Sequence, residues 1–326
     1  MRSIAVLSAV AVFLCCTDLS AQVEDQPVDA LPLRNHNPIL QVFGLPLFQT
    51  PEVAAEGAWD FSFSYDIAND ADDASRANEE LVIDGESQVL AISLRRRVSD
   101  KLELGLDVPF VSHSGGFLDG TIKDWHNLLG LSNSMRDGPN DQLQHYYEQN
   151  GIVLLDFSES ASGLGDIQLS AAIPLHHVTI RAGAKLPTGD AEKLTGSGAA
   201  DFSLGVYGAR STTIFDRELD ISGFVGVLAL GDGDVMSEFQ RSAVPYGGLA
   251  LRWHATEKFA LSTQWYVQGS YFDIDIDEIG GSTIQLGVGV DYRLKKSLLR
   301  FAIVEDVAAG AAPDFALHLS LRSFGG

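Results

Sequence analysis

From Trp59 onward the chain alternates. In Trp59-Asp60-Phe61-Ser62-Phe63-Ser64-Tyr65-Asp66-Ile67 every odd position is aromatic or aliphatic and every even one is polar, which is the period of a strand with one oily and one wet face. The pattern returns in Leu90, Ile92, Leu94 and Val98 and, after the turn at Ser99-Asp100-Lys101, in Leu102, Leu104, Leu106, Val108 and Phe110. It recurs over residues 167–175, 178–186, 202–206, 219–227, 249–253, 259–267, 284–294, 299–303 and 315–321. About twelve strands result, with short turns alternating with longer acidic loops, the asymmetry of an outer-membrane barrel. A soluble β-sandwich also alternates, but it buries its oily faces against each other and does not separate short turns from long loops so regularly. The predicted fold is therefore all-β, an antiparallel transmembrane β-barrel of about twelve strands with one short loop helix. An even strand number places both chain ends on the short-turn side, taken as periplasmic.

The start of the chain reads differently. Arg2 followed by the apolar run 4–16 and by Leu19-Ser20-Ala21 has the layout of a cleaved secretory signal, and the run is too short to span a hydrocarbon core. The expected organisation is a signal peptide over 1–21, a periplasmic N-terminal segment over 22–56 and an outer-membrane barrel over 57–326, exported to the outer membrane of a Gram-negative cell. Cys15 and Cys16 are the two cysteines and both fall in the leader, so neither a disulfide framework nor a thiolate metal site is expected. Among 326 residues, 44 acidic side chains face 22 Lys and Arg, a formal charge of −22, which disfavours a nucleic-acid partner.

If the apolar parity faces lipid, the other parity lines the lumen. It carries Arg95, Arg97, Glu103, Asp107, Asp166, Arg181, Lys185, Asp201, Asp220, Arg252, His254, Asp291, Arg293, Arg300, Asp306, His318 and Arg322. The two signs are nearly balanced, so the excess negative charge is assigned to the loops. Such charges either brace the wall as ion pairs or select a solute.

The longest stretch without strand alternation runs over 113–163. Within it Leu118, Ile122, Trp125 and Leu129 form a helical stripe, with Asp119 placed to cap its start and Gly130 to end it. This helix, which also carries His126, is a candidate plug or cover of the barrel mouth. His113, His126 and His145 share the stretch with Asp119, Asp137 and Asp141, but at no recognised ligand spacing, so no metal or other cofactor is expected. Ser112-His113-Ser114 does not provide a relay with an orienting carboxylate, so catalysis is not expected. The acidic groups Asp70, Asp72 and Asp73, Asp232 and Asp234, and Asp273, Asp275 and Asp277 are assigned to loops, where carboxylates can share divalent cations with lipopolysaccharide.

Several separated segments also resemble one bacterial family. Arg34-Asn35-His36-Asn37-Pro38, Phe43-Gly44-Leu45-Pro46, Asp84-Gly85-Glu86, GGFLDGTIKDWHNLLGLSNSMRD from Gly115, GLGDIQLSA from Gly163, KLPTGDAEKLTGSGAAD from Lys185 and VEDVAAGAAPDFALHLSLR from Val304 resemble, in order, the family catalogued as domain of unknown function 3187. The resemblance implies an outer-membrane barrel-like fold and supplies no catalytic or ligand residue. The expected function is a passive pore or uptake channel for a small solute, with the loop helix and residues 34–46 regulating opening. A structural or adhesive barrel with an ion-paired, closed lumen is the alternative, and an outer-membrane hydrolase a remote one. Expected partners are outer-membrane lipid and lipopolysaccharide, through divalent cations, and the barrel assembly machinery. One departure is Phe324, out of phase with Phe315, Leu317, Leu319 and Leu321 unless a bulge intervenes.

Overall fold

The computed structural model describes residues 30–49, 53, 57–130, 139–307 and 310–325. The signal-peptide assignment over 1–21 and Asp137 lie outside the described residues. The alternating segments form β1 (Trp59–Arg76), β2 (Glu79–Ser99) and β3 (Leu102–Ser114), then, after α1 (Asp119–Leu129), β4 (Gln144–Gln149), β5 (Ile152–Phe157) and β6 (Ala161–Leu164). They continue as β7 (Gln168–Pro174), β8 (Val178–Lys185), β9 (Asp201–Ile214), β10 (Arg217–Ala229), β11 (Ala243–Trp253) and β12 (Phe259–Gln268). After the short α2 (Asp277–Gly280) come β13 (Thr283–Arg293), β14 (Ser297–Asp306) and β15 (Phe315–Gly325).

Each strand pairs antiparallel with its neighbour, β3 with β7, and β15 returns to β1, so the sheet closes into a ring of twelve. The remaining three strands lie outside that ring: β4 pairs with the outer end of β2, β5 with β4, and β6 with the outer end of β3. Among the described residues no helix is long and apolar enough to cross a membrane.

The outward parity carries the oil. Trp59, Phe61, Leu104, Leu204, Val288, Val290, Phe301 and Leu319 are all large, apolar and roughly 40–60 % exposed, a belt that would be untenable in water and that lipid covers in a barrel. The intervening positions point inward and are mostly buried, for example Asp60, Asp66 and Ala68 in β1. Val288→Arg, near the middle of β13, is expected to lower unfolding free energy in vesicles by about 2–4 kcal/mol, read from urea unfolding.

Five short turns, between β2 and β3, β7 and β8, β9 and β10, β11 and β12, and β13 and β14, share one rim with the start of β1 and the end of β15; at the opposite end β1 and β2, and β4 and β5, are also joined by two residues each. In the β9–β10 turn Phe215 and Asp216 both hold left-handed backbone, φ 53 and 56, the type I′ geometry that prefers Asn-Gly. Replacing the pair by Asn-Gly is expected to raise stability by about 1 kcal/mol, seen as a higher urea midpoint.

Three sequence expectations change. Asp70, Asp72 and Asp73 are not in a loop: β1 stays paired with β2 out to Arg76↔Glu79, because polar side chains are at home on a lumen-facing or solvated ladder. The stretch 113–163 likewise holds three strands that dock on the protruding ends of β2 and β3. No bulge resets Phe324, since the β1–β15 register runs unbroken from Trp59↔Gly325 to Asn69↔Phe315.

The described part of the segment expected on the periplasmic side, residues 30–49, runs inside the barrel. Leu31, Ile39, Leu40, Phe43 and Phe48 are all at most 2 % exposed. Phe48 N–H donates to the Leu33 carbonyl at 3.1 Å, so the segment doubles back: residues 30 and 49 lie together near the short-turn rim, and its tip reaches the long-loop end. Asn37 shapes that tip. Its Oδ1 accepts from Ile39 and Leu40 N–H at 3.0 and 3.3 Å, with Pro38 opening the turn as Pro does after a capping residue.

Candidate functional site

The lumen is built around this inserted segment. At the long-loop end Phe43 stacks on Tyr271 with ring centroids 5.1 Å apart and meets Phe272 edge-on. Midway, Phe48 packs edge-on against Phe224 at 4.4 Å, and Phe224 stacks in turn on Tyr207. The wall also grips the segment's backbone. Gln264 binds Leu31 through both its amide atoms, 3.1 and 3.0 Å; Tyr266 Oη donates to the Pro46 carbonyl at 2.8 Å; Arg300 donates to the Ala30 carbonyl at 2.9 Å. Asn35 donates to the Ala311 carbonyl at 2.5 Å. A segment with few internal backbone bonds thus has its polar groups satisfied by lumen side chains, as burial requires.

The tightest grip is at Gly44. Its N–H donates to Asp201 Oδ2 at 2.8 Å, and Lys185 Nζ donates to the Val42 carbonyl at 3.0 Å. Lys185 is itself clamped by Asp166 at 2.6 Å and Asp201 at 3.2 Å, and it bonds Ser197. A Cβ on Gly44 would lie 3.0 Å from the Cβ atoms of both Asp201 and Lys185. Gly44→Leu is therefore expected to unseat the segment while leaving the wall intact, read as increased protease sensitivity of residues 30–49.

Several of the remaining inward charges fall into pairs. Arg95 binds Asp107 through two 2.8 Å bonds, Asp107 also accepting from Ser93 at 2.5 Å. Arg181 meets Glu103 at 3.0 Å, Arg252 meets Asp291 at 2.7 Å, and Arg322 meets Asp60. Arg300 also approaches Asp291 at 3.8 Å. His254 and Arg252 share Asp220. Arg97 instead turns to the Ser99 and Asp100 carbonyls at the short-turn rim. Half-buried Arg293 lies near Glu218, and Asp306 accepts from Gly310 N–H. His318 Nδ1 lies 2.6 Å from Asp66 Oδ1 and its Nε2 lies 2.9 Å from Ser320 Oγ. His36 of the inserted segment approaches Asp66 from the other side at 3.5 Å. Burial holds the Arg34 guanidinium below its ordinary pKa, opposed by the attraction of Asp66 and Asp107.

The loop helix lies at the opposite mouth. Asp119 accepts from Asn69 at 3.0 Å and from Asp141 N–H at 2.7 Å, and Ile122 is buried. The side chains of Trp125, His126 and Leu129 lie outside the described residues. The approach to the helix is fixed by Glu86, which accepts from Phe117 and Leu118 N–H; at Gly116, φ +76, a Cβ would overlap the Glu86 carboxylate.

His113 and His145, weighed as metal ligands, are buried against Phe157 instead, with ring centroids 6.1 Å apart. His113 lies 3.0 Å from Ser87 Oγ and 3.1 Å from the Leu194 carbonyl. Among the described residues, one group of three His and carboxylate side chains has its ligating atoms within 4.8 Å of one another, Glu218, Asp220 and His254, a grouping that sequence spacing did not bring forward. Near the short-turn rim a cavity of about 80 Å³ lies between the segment's ends and the wall, lined by Arg95, Arg181, Arg300, Arg322, Ser320 and Phe48 among others.

A family model described as a protein of unknown function (DUF3187) matches residues 6–324. No curated protein matches the chain. Among solved structures the fold is similar to the COG4313 outer membrane channel from Pseudomonas putida F1, at 16 % identity and a TM-score of 0.50, over 84 % of this chain and 97 % of that one. The translocator domain of the autotransporter NalP from Neisseria meningitidis matches at 10 % identity and TM-score 0.42, over 84 % and 90 %. The Ralstonia pickettii toluene transporter TbuX matches at 11 % and 0.40, over 83 % and 90 %. At 16 % identity the likeness to the first of these is one of fold.

Proposed function

Taking as premise that the chain belongs to the DUF3187 family and closes into a twelve-stranded outer-membrane-type barrel, we propose that it is an outer-membrane channel for a small solute, held shut by its own residues 30–49. One observation carries this: the lumen holds a separate, doubled-back segment, bound through hydrogen bonds and ring contacts. Eight-stranded barrels are filled by their own side chains, whereas wider ones enclose space that something else must occupy. A plug held without covalent bonds has two positions available to it, and solute passes when it leaves. Residues 34–46 are then the gate, and the loop helix α1 covers the outer mouth.

The paired charges Arg95–Asp107, Arg181–Glu103 and Arg252–Asp291 favour a second reading, a structural barrel whose lumen is braced rather than gated. Planar-bilayer recordings separate the two. A channel gives rare openings in the intact chain and frequent ones in Gly44→Leu; a structural barrel stays silent in both.

A further inference from the structure

Beyond a channel, the inward wall holds an arrangement that transport does not use: Ser320, His318 and Asp66 in a line. His318 and Ser320 are two residues apart on β15, so both project into the lumen. Asp66 on β1 is the direct cross-strand partner of His318. Asp66 accepts at 2.6 Å, so Nδ1 carries the ring proton in the neutral imidazole, leaving Nε2 to accept from the Ser320 hydroxyl at 2.9 Å. Nucleophile, base and orienting carboxylate thus have the contacts and the tautomer of a serine hydrolase triad, which is recognised by geometry and role and not by order along the chain. Ser320 also lines the cavity of about 80 Å³ near the short-turn rim. Arg300 is its partner in register on the other neighbouring strand and lines the same cavity, so a guanidinium and the hydroxyl share one cavity wall, as an oxyanion stabiliser and a nucleophile would. Bracing the wall needs only the Asp66–His318 pair; a hydroxyl held at Nε2 inside a cavity is additional.

We propose that Ser320, His318 and Asp66 form an acyl-transfer site that hydrolyses a small carboxylic ester reaching the cavity from the short-turn side. Ser320 Oγ attacks the ester carbonyl as His318 Nε2 takes its proton, and Arg300 faces the oxyanion. Collapse expels the alcohol, which leaves with the proton from His318, and the acyl group stays on Ser320. Water then attacks the acyl-serine, giving its proton to His318; collapse releases the acid and Ser320 recovers the proton. Ester and water become acid and alcohol, with no other reactant. A cavity of this size accepts an acetyl-sized acyl group. Ser320 and His318 are the catalytic residues, and Asp66 positions the imidazole.

The test uses the purified full chain in detergent, a fluorophosphonate probe with mass mapping of the adduct, and p-nitrophenyl acetate as substrate. The expected result is one adduct, on Ser320, and hydrolysis that falls about 100-fold or more in Ser320→Ala and His318→Ala, while Ser242→Ala, at an exposed loop serine away from the cavity, retains it. Asp66→Asn is expected to lower kcat for p-nitrophenyl acetate about 100-fold or more with KM and the urea midpoint little changed, because the imidazole is then free to take the wrong tautomer; a structural role alone would move the urea midpoint and leave kcat in place. No adduct, an adduct elsewhere, or equal hydrolysis by wild type and Ser320→Ala would overturn the proposal and leave a structural ion pair only. Bilayer conductance reports separately on the channel, so either conclusion can fail without the other.

Discussion

Deleting residues 30–49 is expected to turn a mostly silent barrel into a conducting one. The deletion removes Phe43 and Phe48 from the aromatic contacts with Tyr271, Phe272 and Phe224 and strips no strand from the ring, since β1 begins at Trp59. Lysine and arginine groups that held plug carbonyls are then left to water, and a twelve-stranded ring is wide enough to admit it. Open probability in planar bilayers is expected to rise about tenfold or more over the intact chain, and liposomes carrying the deletion should swell in small sugars. Equal silence from deletion and intact chain, with heat-modifiable migration retained, would favour the structural barrel.

Lys185→Met is expected to cost about 3–5 kcal/mol, the penalty for leaving buried carboxylates without their cation. Among the described residues Lys185 is the single positive charge in contact with both Asp166 and Asp201, all three side chains being at most 4 % exposed. Removing it also frees the Val42 carbonyl. Unlike Gly44→Leu, it weakens both wall and plug, so urea unfolding should move to a lower midpoint and the channel should open as well. Combining Lys185→Met with Asp201→Asn removes one of the two stranded charges and should recover part of the loss; strict additivity of the two substitutions would contradict the coupling.

The wall was legible because its signal is local. A period of two, read in Trp59-Asp60-Phe61 or Phe315-Ala316-Leu317, gives both the strand and the face it shows to lipid, and the inward parity delivered Arg95, Glu103, Arg181, Lys185 and His318 as lumen residues. The plug carried no such period. Residues 30–49 contain Pro32, Pro38 and Pro46 and scattered apolar side chains, and their burial exists only once a cylinder surrounds them. The outer parts of β1 and β2 were hidden for a related reason: Asp70, Asp72 and Asp73 look like a solvated loop, yet Asn37 of the plug reaches Asp70. The Ser320–His318–Asp66 line was half visible. His318-Leu319-Ser320 puts two groups on one face, but Asp66 joins them only through closure of β15 on β1, a contact across 252 positions that no spacing rule encodes.

Both ends of the inserted segment lie near the same rim. A stopper of this shape is a loop pushed into a tube, not a thread passed through it. The cylinder can therefore form in the bilayer first and be corked afterwards, and uncorking needs no free terminus to be dragged across the pore. A pull from the short-turn side on either flank of the loop would suffice, whereas a pull from the long-loop side would only draw it further in.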